Sequence, residues 1–196
     1  MEVGLLFSGG KDSSLAALLL EPFYDVQLIT VHFGVTEDWQ HAARAAGALD
    51  LPFEAIELDR SIANDSVGQM LEDGYPRDGI QAVHLAALEA IAQREVPVIA
   101  DGTRRDDRVP SVSRAQAQSI EDRNNVQYLA PLSGFGRGAV DDLVDRLLDV
   151  EIGESAHIDR ADYEAELRIL LAERGGEQAI EDIFPPHEQT AVRGRR

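Results

Sequence analysis

The run Ser8-Gly9-Gly10-Lys11-Asp12-Ser13-Ser14 combines the residue types that bind a phosphate. Adjacent glycines let the backbone approach an anion closely, and serine hydroxyls donate hydrogen bonds to it. An apolar run at residues 3–7 precedes this stretch and another at 15–20 follows it, which predicts a strand, a tight turn and the start of a helix. Amides at a helix N-terminus point at a bound anion. We therefore predict a phosphate-binding loop whose contacts are Ser8, Gly9, Gly10, Ser13 and Ser14.

Asp12 is a carboxylate inside this predicted loop, where its charge would repel a phosphate. A divalent cation between the two removes the conflict, because Mg²⁺ is commonly held by one or two carboxylates together with phosphate oxygens. The sequence thus predicts that Asp12 binds Mg²⁺. Lys11 is the only lysine of the chain, which favours a functional role for it as a positive charge beside the phosphates.

Two common nucleotide-binding motifs do not fit this stretch. A Walker A loop requires G-x-x-x-x-G-K-[ST], and neither register of Gly4, Gly9 and Gly10 supplies both the spacing and the following Lys-Ser or Lys-Thr pair. The dinucleotide fingerprint G-x-G-x-x-G fails because Gly9 and Gly10 are adjacent. The loop must therefore belong to another class.

The elements that would position the loop alternate between strand and helix. Strands are predicted at residues 3–7, 26–33, 52–58, 96–100 and 126–129, and helices at 13–20, 37–49, 61–72, 80–94, 113–123 and 140–148. This alternation indicates βαβ units and a parallel sheet, which is an α/β fold. We expect an α/β domain over residues 1–149, a helical extension over 150–184 packed on it, and a flexible tail over 185–196.

Composition excludes several classes of function. The chain of 196 residues has no cysteine, so it carries no disulfide, thiol nucleophile or iron–sulfur ligand. Its formal charge of −18, with one lysine, predicts adaptation to a salty cytosol, as in a halophilic archaeon. No apolar run reaches the length of a membrane span and no secretory signal is visible, so we expect a cytoplasmic protein with no membrane partner.

The motif Ser8-Gly9-Gly10-Lys11-Asp12-Ser13 resembles the PP-loop signature of the ATP pyrophosphatase superfamily, and the chain resembles small archaeal thiouridylase-like members. The resemblance implies a five-stranded, doubly wound parallel sheet ordered 3-2-1-4-5, of the adenine nucleotide alpha hydrolase type. It also implies ATP and Mg²⁺ as ligands. Catalysis would rest on Lys11, Asp12 and Ser13.

Other positions follow from the same resemblance. Thr30 and His32 end the second predicted strand, whose backbone contacts adenine in that superfamily. Gly102 and Thr103 end the fourth strand beside the phosphates, and Arg104 follows them. A second acid for the metal falls at Asp106 or Asp107, and we favour Asp107. Arg77 lies where thiouridylases often carry a Pro-Cys motif, and the cysteine is absent here.

The superfamily reaction adenylates an acceptor oxygen, releases pyrophosphate, and then releases AMP as a nitrogen or sulfur nucleophile displaces it. We expect tRNA modification resembling thiolation, because arginines that could bind RNA cluster after the fourth strand, at Arg104, Arg105, Arg108 and Arg114. The alternatives are an ammonia-dependent ligase for a small carboxylate or carbonyl, and a nucleotide-binding subunit of a larger complex. Candidate partners are tRNA, a sulfur or ammonia donor and a second copy of the chain. The histidines His41, His84, His157 and His187 lack ligand spacing, so no zinc site is predicted.

Overall fold

The computed structural model describes residues 1–154, 161–184 and 188–196. The strands are β1 (Glu2–Leu6), β2 (Asp25–His32), β3 (Phe53–Glu57), β4 (Val98–Ala100), β5 (Gln127–Leu129), β6 (Leu148–Glu154) and β7 (Glu188–Arg195). The helices are α1 (Lys11–Leu20), α2 (Trp39–Ala48), α3 (Arg60–Asp73), α4 (Arg77–Ala92), α5 (Arg114–Asn124), α6 (Arg137–Leu147), α7 (Tyr163–Gly175) and α8 (Glu177–Ile183).

The central sheet has five parallel strands in the order β3-β2-β1-β4-β5, which confirms the predicted α/β fold and its strand order. Successive side chains of a strand point to opposite faces, so each central strand supplies two hydrophobic cores. Leu5 and Leu28 belong to the core beneath α1, α2 and α6, and Leu6 and Ile29 to the core beneath α3, α4 and α7. Both faces of the sheet are therefore covered, as a parallel sheet requires.

Two helix starts matter for the site because each fixes a side chain at the carboxyl edge of the sheet. Helix α1 begins directly after the glycine turn, with Gly10 in an extended conformation at its N-cap. Helix α7 begins at Tyr163, where the Asp162 side chain accepts a hydrogen bond from the Ala165 amide at 3.2 Å. Capping of this kind satisfies a free amide and sets the first residue of the helix in place.

The C-terminal part of the chain differs from the prediction. Residues 188–195 form β7, which pairs antiparallel with β6, so the expected flexible tail is wrong for these residues. Ala191 and Val192 are buried, and Arg193 and Arg195 form ion pairs with Glu151 and Glu21. The arginine-rich composition suggested a solvated tail, but its apolar residues pack and its arginines find partners.

Likewise, the expected helical extension over 150–184 contains α7 and α8 but begins within strand β6. Residues 155–160 of that extension and 185–187 of the tail lie outside the described residues. None of the described helices combines the length and the apolar character needed to cross a lipid bilayer.

Candidate active site

The glycine turn between β1 and α1 is shaped by close backbone contacts. Gly9 has a φ of +76°, and a Cβ there would lie 3.2 Å from the Cα of Ala42. Gly102, at the end of β4, approaches the other side of the turn, and a Cβ on it would lie 2.8 Å from the backbone nitrogen and Cα of Ser13. Both positions therefore need glycine, because any side chain would push α1 away from its neighbours.

The serine hydroxyls of the turn are organised around Ser13. Its Oγ lies 3.1 Å from the Oγ of Ser8, accepts a hydrogen bond from the Ser8 amide at 3.3 Å and donates to the Gly10 carbonyl at 3.2 Å. Ser14 differs, because its side chain is fully buried and its amide donates to the Gly10 carbonyl at 3.1 Å. Ser8 and Ser13 are thus the serines that face the cavity described below.

Asp12 lies at the first turn of α1 with one oxygen unsatisfied. Its Oδ1 is buried and has no hydrogen-bond partner in the part of the chain that the structure describes, while Oδ2 lies 3.5 Å from Nε of Arg104. Burial raises the pKa of Asp12 above its ordinary value, although the charges of Arg104 and Lys11 oppose that rise. A buried carboxylate with an unused oxygen is a group that a cation would stabilise.

Two ion pairs border the turn. The Asp107 carboxylate accepts from Nη2 of Arg104 at 2.6 Å and from the Arg104 amide at 2.7 Å, which closes the loop after β4. On the other side, Nζ of Lys11 bonds to Oδ1 of Asp141 in α6. The two cations beside the loop are therefore held by carboxylates of the same chain, at the edges of the predicted phosphate site.

A cavity of about 450 Å³ opens at the carboxyl ends of β1, β2 and β4. That volume is within the range of small-molecule sites in proteins. Its polar wall comes from the glycine turn and the end of β4, and its apolar wall from α4, the loop after β4 and residue 184. The lining includes Leu6, Phe7, Ser8, Asp12, Ser13, Thr30, Val31, Pro76, Ile80, His84, Asp101, Gly102, Thr103, Asp107, Val109, Pro110, Tyr163 and Phe184.

A buried hydrogen-bonded network forms one wall of this cavity. His84 Nε2 lies 2.8 Å from Oδ2 of Asp101, and His84 Nδ1 lies 3.1 Å from the hydroxyl of Tyr163. Asp101 also accepts from the Tyr128 hydroxyl at 2.9 Å and from the amide and hydroxyl of Thr103 at 2.9 and 2.7 Å. Burial alone would raise the pKa of Asp101, but the bonds from His84 and Thr103 hold it below its ordinary value.

The loop after β2 is held by a buried carboxylate from α7. Glu166, 3% exposed, accepts from the amides of Phe33 at 2.6 Å, Val35 at 2.8 Å and Thr36 at 3.2 Å. Glu166 lies three residues after Tyr163, so the two side chains share one face of α7. One helix thereby supplies a wall of the cavity and also fixes the loop beside the predicted adenine position.

Strand β7 contacts the glycine turn from outside the cavity. The Lys11 amide donates to Oγ1 of Thr190 at 3.1 Å, and the Val192 amide donates to the Gly9 carbonyl at 3.1 Å. The end of the chain therefore supports the loop near its beginning. One amide at the start of α1 is already used by this contact.

The structure brings seven of the predicted site residues to the cavity: Ser8, Asp12, Ser13, Thr30, Gly102, Thr103 and Asp107. Other predicted positions do not line it, namely Gly9, Gly10, Lys11, Ser14, His32 and Arg104. The His32 ring stacks on Trp39 with centroids 5.9 Å apart, and its Nδ1 accepts from the Gly34 amide at 3.2 Å. Asp106 accepts hydrogen bonds from the Arg137 amide at 3.0 Å and from Nε of Arg105 at 3.1 Å.

Sequence reasoning missed His84, Asp101, Tyr163 and Glu166. Asp101 directly precedes Gly102-Thr103 at the end of a strand, and that position could have marked it. His84 is one of several histidines scattered along the sequence, and spacing along the chain does not show that α4 faces β4. His157 and His187 lie outside the described residues. Tyr163 and Glu166 carry no signal in the sequence, since their partners are 79 and at least 130 positions away.

The lining suits a phosphate group and a divalent cation. Ser8, Asp12 and Ser13 line the cavity, and Asp12 Oδ1 has no hydrogen-bond partner among the described residues. Among the described residues, no group of three or more acidic or histidine side chains could hold a metal ion by itself. A cation here would thus need oxygens from its ligand, which is the usual situation for Mg²⁺ in nucleotide sites.

Comparison with known proteins identifies close relatives. Uncharacterized protein MJ0690 of Methanocaldococcus jannaschii is 44% identical over 195 residues, which are 99% of this chain and 96% of that protein. A crystal structure from the same species, described as a predicted subunit of tRNA methyltransferase, has a TM-score of 0.91 at 43% identity and covers 100% of this chain and 98% of that one.

A more distant likeness is to the U34-tRNA thiolase NcsA of Methanococcus maripaludis, with a TM-score of 0.44 at 16% identity over 74% of this chain and 56% of that one. At that level the likeness carries no functional argument. A family model does match nearly the whole sequence, over residues 1–194, and its description is a family of unknown function, DUF7411. The chain therefore belongs to the DUF7411 family.

Proposed function

We propose that this protein is an ATP pyrophosphatase of the PP-loop type, which adenylates an acceptor oxygen on RNA and releases pyrophosphate and then AMP. The observation that carries the proposal is Asp12, a partly buried carboxylate that lines a cavity beside a Ser-Gly-Gly turn and has one buried oxygen without a hydrogen-bond partner among the described residues. Such a carboxylate is costly unless a cation joins it. A cation bound beside a phosphate-type loop is the arrangement of a nucleotide-cleaving site.

The residues of the chain have distinct roles in this proposal. The hydroxyls of Ser8 and Ser13 and the amides at the start of α1 bind the departing pyrophosphate. Asp12 would hold Mg²⁺, which would neutralise the phosphate charge, and Asp107, whose two oxygens both accept hydrogen bonds from Arg104, would hold that arginine at the edge of the cavity. Arg104, 3.5 Å from Asp12, adds a fixed positive charge at the same edge of the cavity. Catalysis then rests on placement and on charges that are in position before the reaction.

The adenine side of the site is formed by the ends of β1 and β2. Thr30 Oγ1 donates to the Phe7 carbonyl at 2.5 Å, which ties the two strand ends together. Glu166 holds the amides of the following loop, as described above. The base therefore meets a backbone edge whose shape is set in advance, which lowers the entropic cost of binding.

An RNA acceptor is supported by charge and by the relatives. Arg77, Arg108 and Arg114 are exposed on the segments that flank the apolar wall, and they make no ion pair within the described residues. Unpaired arginines are unusual in a chain with a formal charge of −18, and phosphates are their natural partners. The relative of 43% identity, described as a predicted subunit of tRNA methyltransferase, points to tRNA and to a protein complex.

The nucleophile that displaces AMP comes from outside the chain. With no cysteine, the protein cannot carry a persulfide or release ammonia through a cysteine glutaminase. Sulfide or ammonia must be free or supplied by a partner protein, and a second copy of this chain could not supply the thiol either. The proposed reaction therefore uses free sulfide or ammonia, or takes it from a donor protein of a different kind.

The experiment that tests this function identifies the products formed from labelled ATP. The protein is incubated with Mg²⁺, labelled ATP and bulk tRNA from cells that lack the gene. We expect pyrophosphate and AMP that depend on both Mg²⁺ and tRNA. Release of inorganic phosphate and ADP would refute pyrophosphatase activity. Turnover that is unaffected by tRNA but stimulated by small carboxylates and ammonium would instead assign an amide ligase.

A further inference from the structure

The end of β4, α4 and the start of α7 contribute to the cavity a chain of hydrogen bonds that the roles above do not use. It runs from Asp101 through His84 to Tyr163, with heavy-atom distances of 2.8 and 3.1 Å. Asp101 and His84 are 1% and 4% exposed, and all three residues line the same cavity as Asp12. A buried Asp–His pair needs a reason, because an apolar pair of the same size would avoid the cost of burying charge.

The hydrogen-bonded network of Asp101, His84 and Tyr163 has two arrangements of its protons with the same heavy-atom positions. When His84 is neutral and Nε2–H donates to Asp101, Nδ1 accepts the hydroxyl proton of Tyr163. When His84 is protonated, Nδ1–H donates to the Tyr163 oxygen, and the phenolic hydrogen is free to point into the cavity. The network can therefore take up one proton and return it through a single hydroxyl.

We propose that Tyr163 is the proton-transfer residue of this site, with His84 as the proton store and Asp101 as its positioning residue. The inference rests on the proposed function, because it concerns the step in which a protic nucleophile, ammonia or hydrogen sulfide, displaces AMP. It assigns the acceptor and its nucleophile to the wall formed by α4 and the start of α7.

The proton balance of the step is simple. The nucleophile forms a bond to the adenylated carbon, and the bond from that carbon to the AMP oxygen breaks, so AMP leaves with the electron pair. The proton lost by the nucleophile passes to the Tyr163 oxygen as the phenolic proton passes to Nδ1 of His84. The resulting imidazolium is paired with the Asp101 carboxylate and gives the proton back to water after the products leave.

The surroundings of Tyr163 favour this use of a neutral phenol. Besides His84, the charged groups that face it are Asp162, Asp101 and Glu164. Burial, followed by these three carboxylates, raises the pKa of Tyr163 well above its ordinary value. Tyr163 therefore keeps its proton at neutral pH and acts as a relay between the nucleophile and His84, not as a phenolate base.

The test separates adenylation from displacement. Tyr163→Phe keeps the ring and removes only the hydroxyl, and Tyr24→Phe is the matched control, since Tyr24 precedes β2 at the amino edge of the sheet. Each variant is given Mg²⁺, ATP, bulk tRNA from cells lacking the gene, and ammonium or sulfide. Pyrophosphate–ATP exchange measures adenylation, and AMP release in single turnover measures displacement. Thermal melting of both variants checks that they are folded.

For Tyr163→Phe we expect exchange within about twofold of the unaltered protein and AMP release slower by about 100-fold, the usual contribution of a positioned proton-transfer group. His84→Gln should slow AMP release likewise. Unchanged AMP release in Tyr163→Phe, or an equal loss of exchange and release, would overturn the inference. If the unaltered protein shows no exchange at all, the proposed function itself fails, and that outcome is distinct from the first two.

Discussion

Replacing Asp12 by Asn tests the central feature of the site, because Asn has nearly the same shape and no charge. At 3.5 Å and an effective dielectric constant of about 20, the attraction between Asp12 and Arg104 is about 5 kcal/mol. Burial nevertheless dominates, since the pKa of Asp12 is raised despite Arg104 and Lys11. A raised pKa means that the ionised form is less favourable in the folded protein, so ionised Asp12 costs stability at neutral pH. We expect the melting temperature of ligand-free Asp12→Asn to be no lower than that of the unaltered protein.

Mg·ATP should reverse this order of melting temperatures, so that the unaltered protein melts higher than Asp12→Asn. At a concentration of Mg·ATP 100 times its dissociation constant, binding stabilises the folded state by about 2.7 kcal/mol. A chain of 196 residues gains about 2–4 °C per kcal/mol, so the unaltered protein should melt about 5–11 °C higher. If loss of the Asp12 charge weakens binding 100-fold, the same concentration stabilises the variant by only about 0.4 kcal/mol, or about 1–2 °C.

The assay is thermal melting with and without Mg·ATP, with ATP alone and with Mg²⁺ alone. Asp106→Asn is the matched control, because Asp106 is on the same loop as Asp107 but bonds to Arg105 and the Arg137 amide outside the cavity. Asp106→Asn should keep the full increase in melting temperature that Mg·ATP causes in the unaltered protein. An Asp12→Asn variant that keeps the shift, or that melts well below the unaltered protein without ligand, would refute the reasoning that a cation compensates this carboxylate.

Three further predictions concern the supports of the site. Thr190→Val removes the acceptor of the Lys11 amide, so the melting temperature should fall by about 2–4 °C, the effect of one hydrogen bond, while the affinity for Mg·ATP by calorimetry should not fall. Glu166→Gln leaves one oxygen to accept bonds from the loop after β2, and hydrogen exchange at the Phe33 and Val35 amides should rise while the protein loses about 2 kcal/mol of unfolding free energy. The pKa of Asp101 is lowered in the folded state, so ionised Asp101 stabilises the fold fully above about pH 4, and this stabilisation should be lost as the pH falls through the folded pKa. Denaturant unfolding measured from pH 7 to pH 3 should therefore show a smaller loss of unfolding free energy in Asp101→Asn than in the unaltered protein.

The strand order and the position of the glycine turn between β1 and α1 were predictable because both depend on local signals. Apolar runs of strand length alternate with helical patterns, and the glycine turn joins the first of each. Boundaries agree closely, as for β2, predicted at 26–33 and observed at Asp25–His32. The loop residues Ser8, Asp12 and Ser13 lie within six positions of one another, so their joint position after the first strand follows from the motif alone.

The network of Asp101, His84 and Tyr163 was not predictable for a physical reason. Each residue is a single polar position in an otherwise ordinary helix or strand end, and its partner is set by how α4 and α7 pack on the sheet. Packing of helices depends on the shapes of many apolar side chains. Sequence periodicity shows which face of a helix is buried, but not which residues that face contacts. The tail was misjudged for a related reason, because two buried residues, Ala191 and Val192, outweighed its charge.

Residues from the C-terminal part of the chain contact the glycine turn and the loop after β2. Thr190 bonds to the Lys11 amide across 179 positions, and Glu166 bonds to the Phe33 amide across 133. Residues after the last strand of the sheet thus support the glycine turn from outside and form the wall that carries Tyr163. The five-stranded sheet and its helices provide the glycine turn, Asp101 and His84, and the segment that follows them adds Tyr163 to the same cavity. If the proposed acceptor binds beside Tyr163, related proteins with different acceptors should differ in α4 and in that segment, not in the glycine turn.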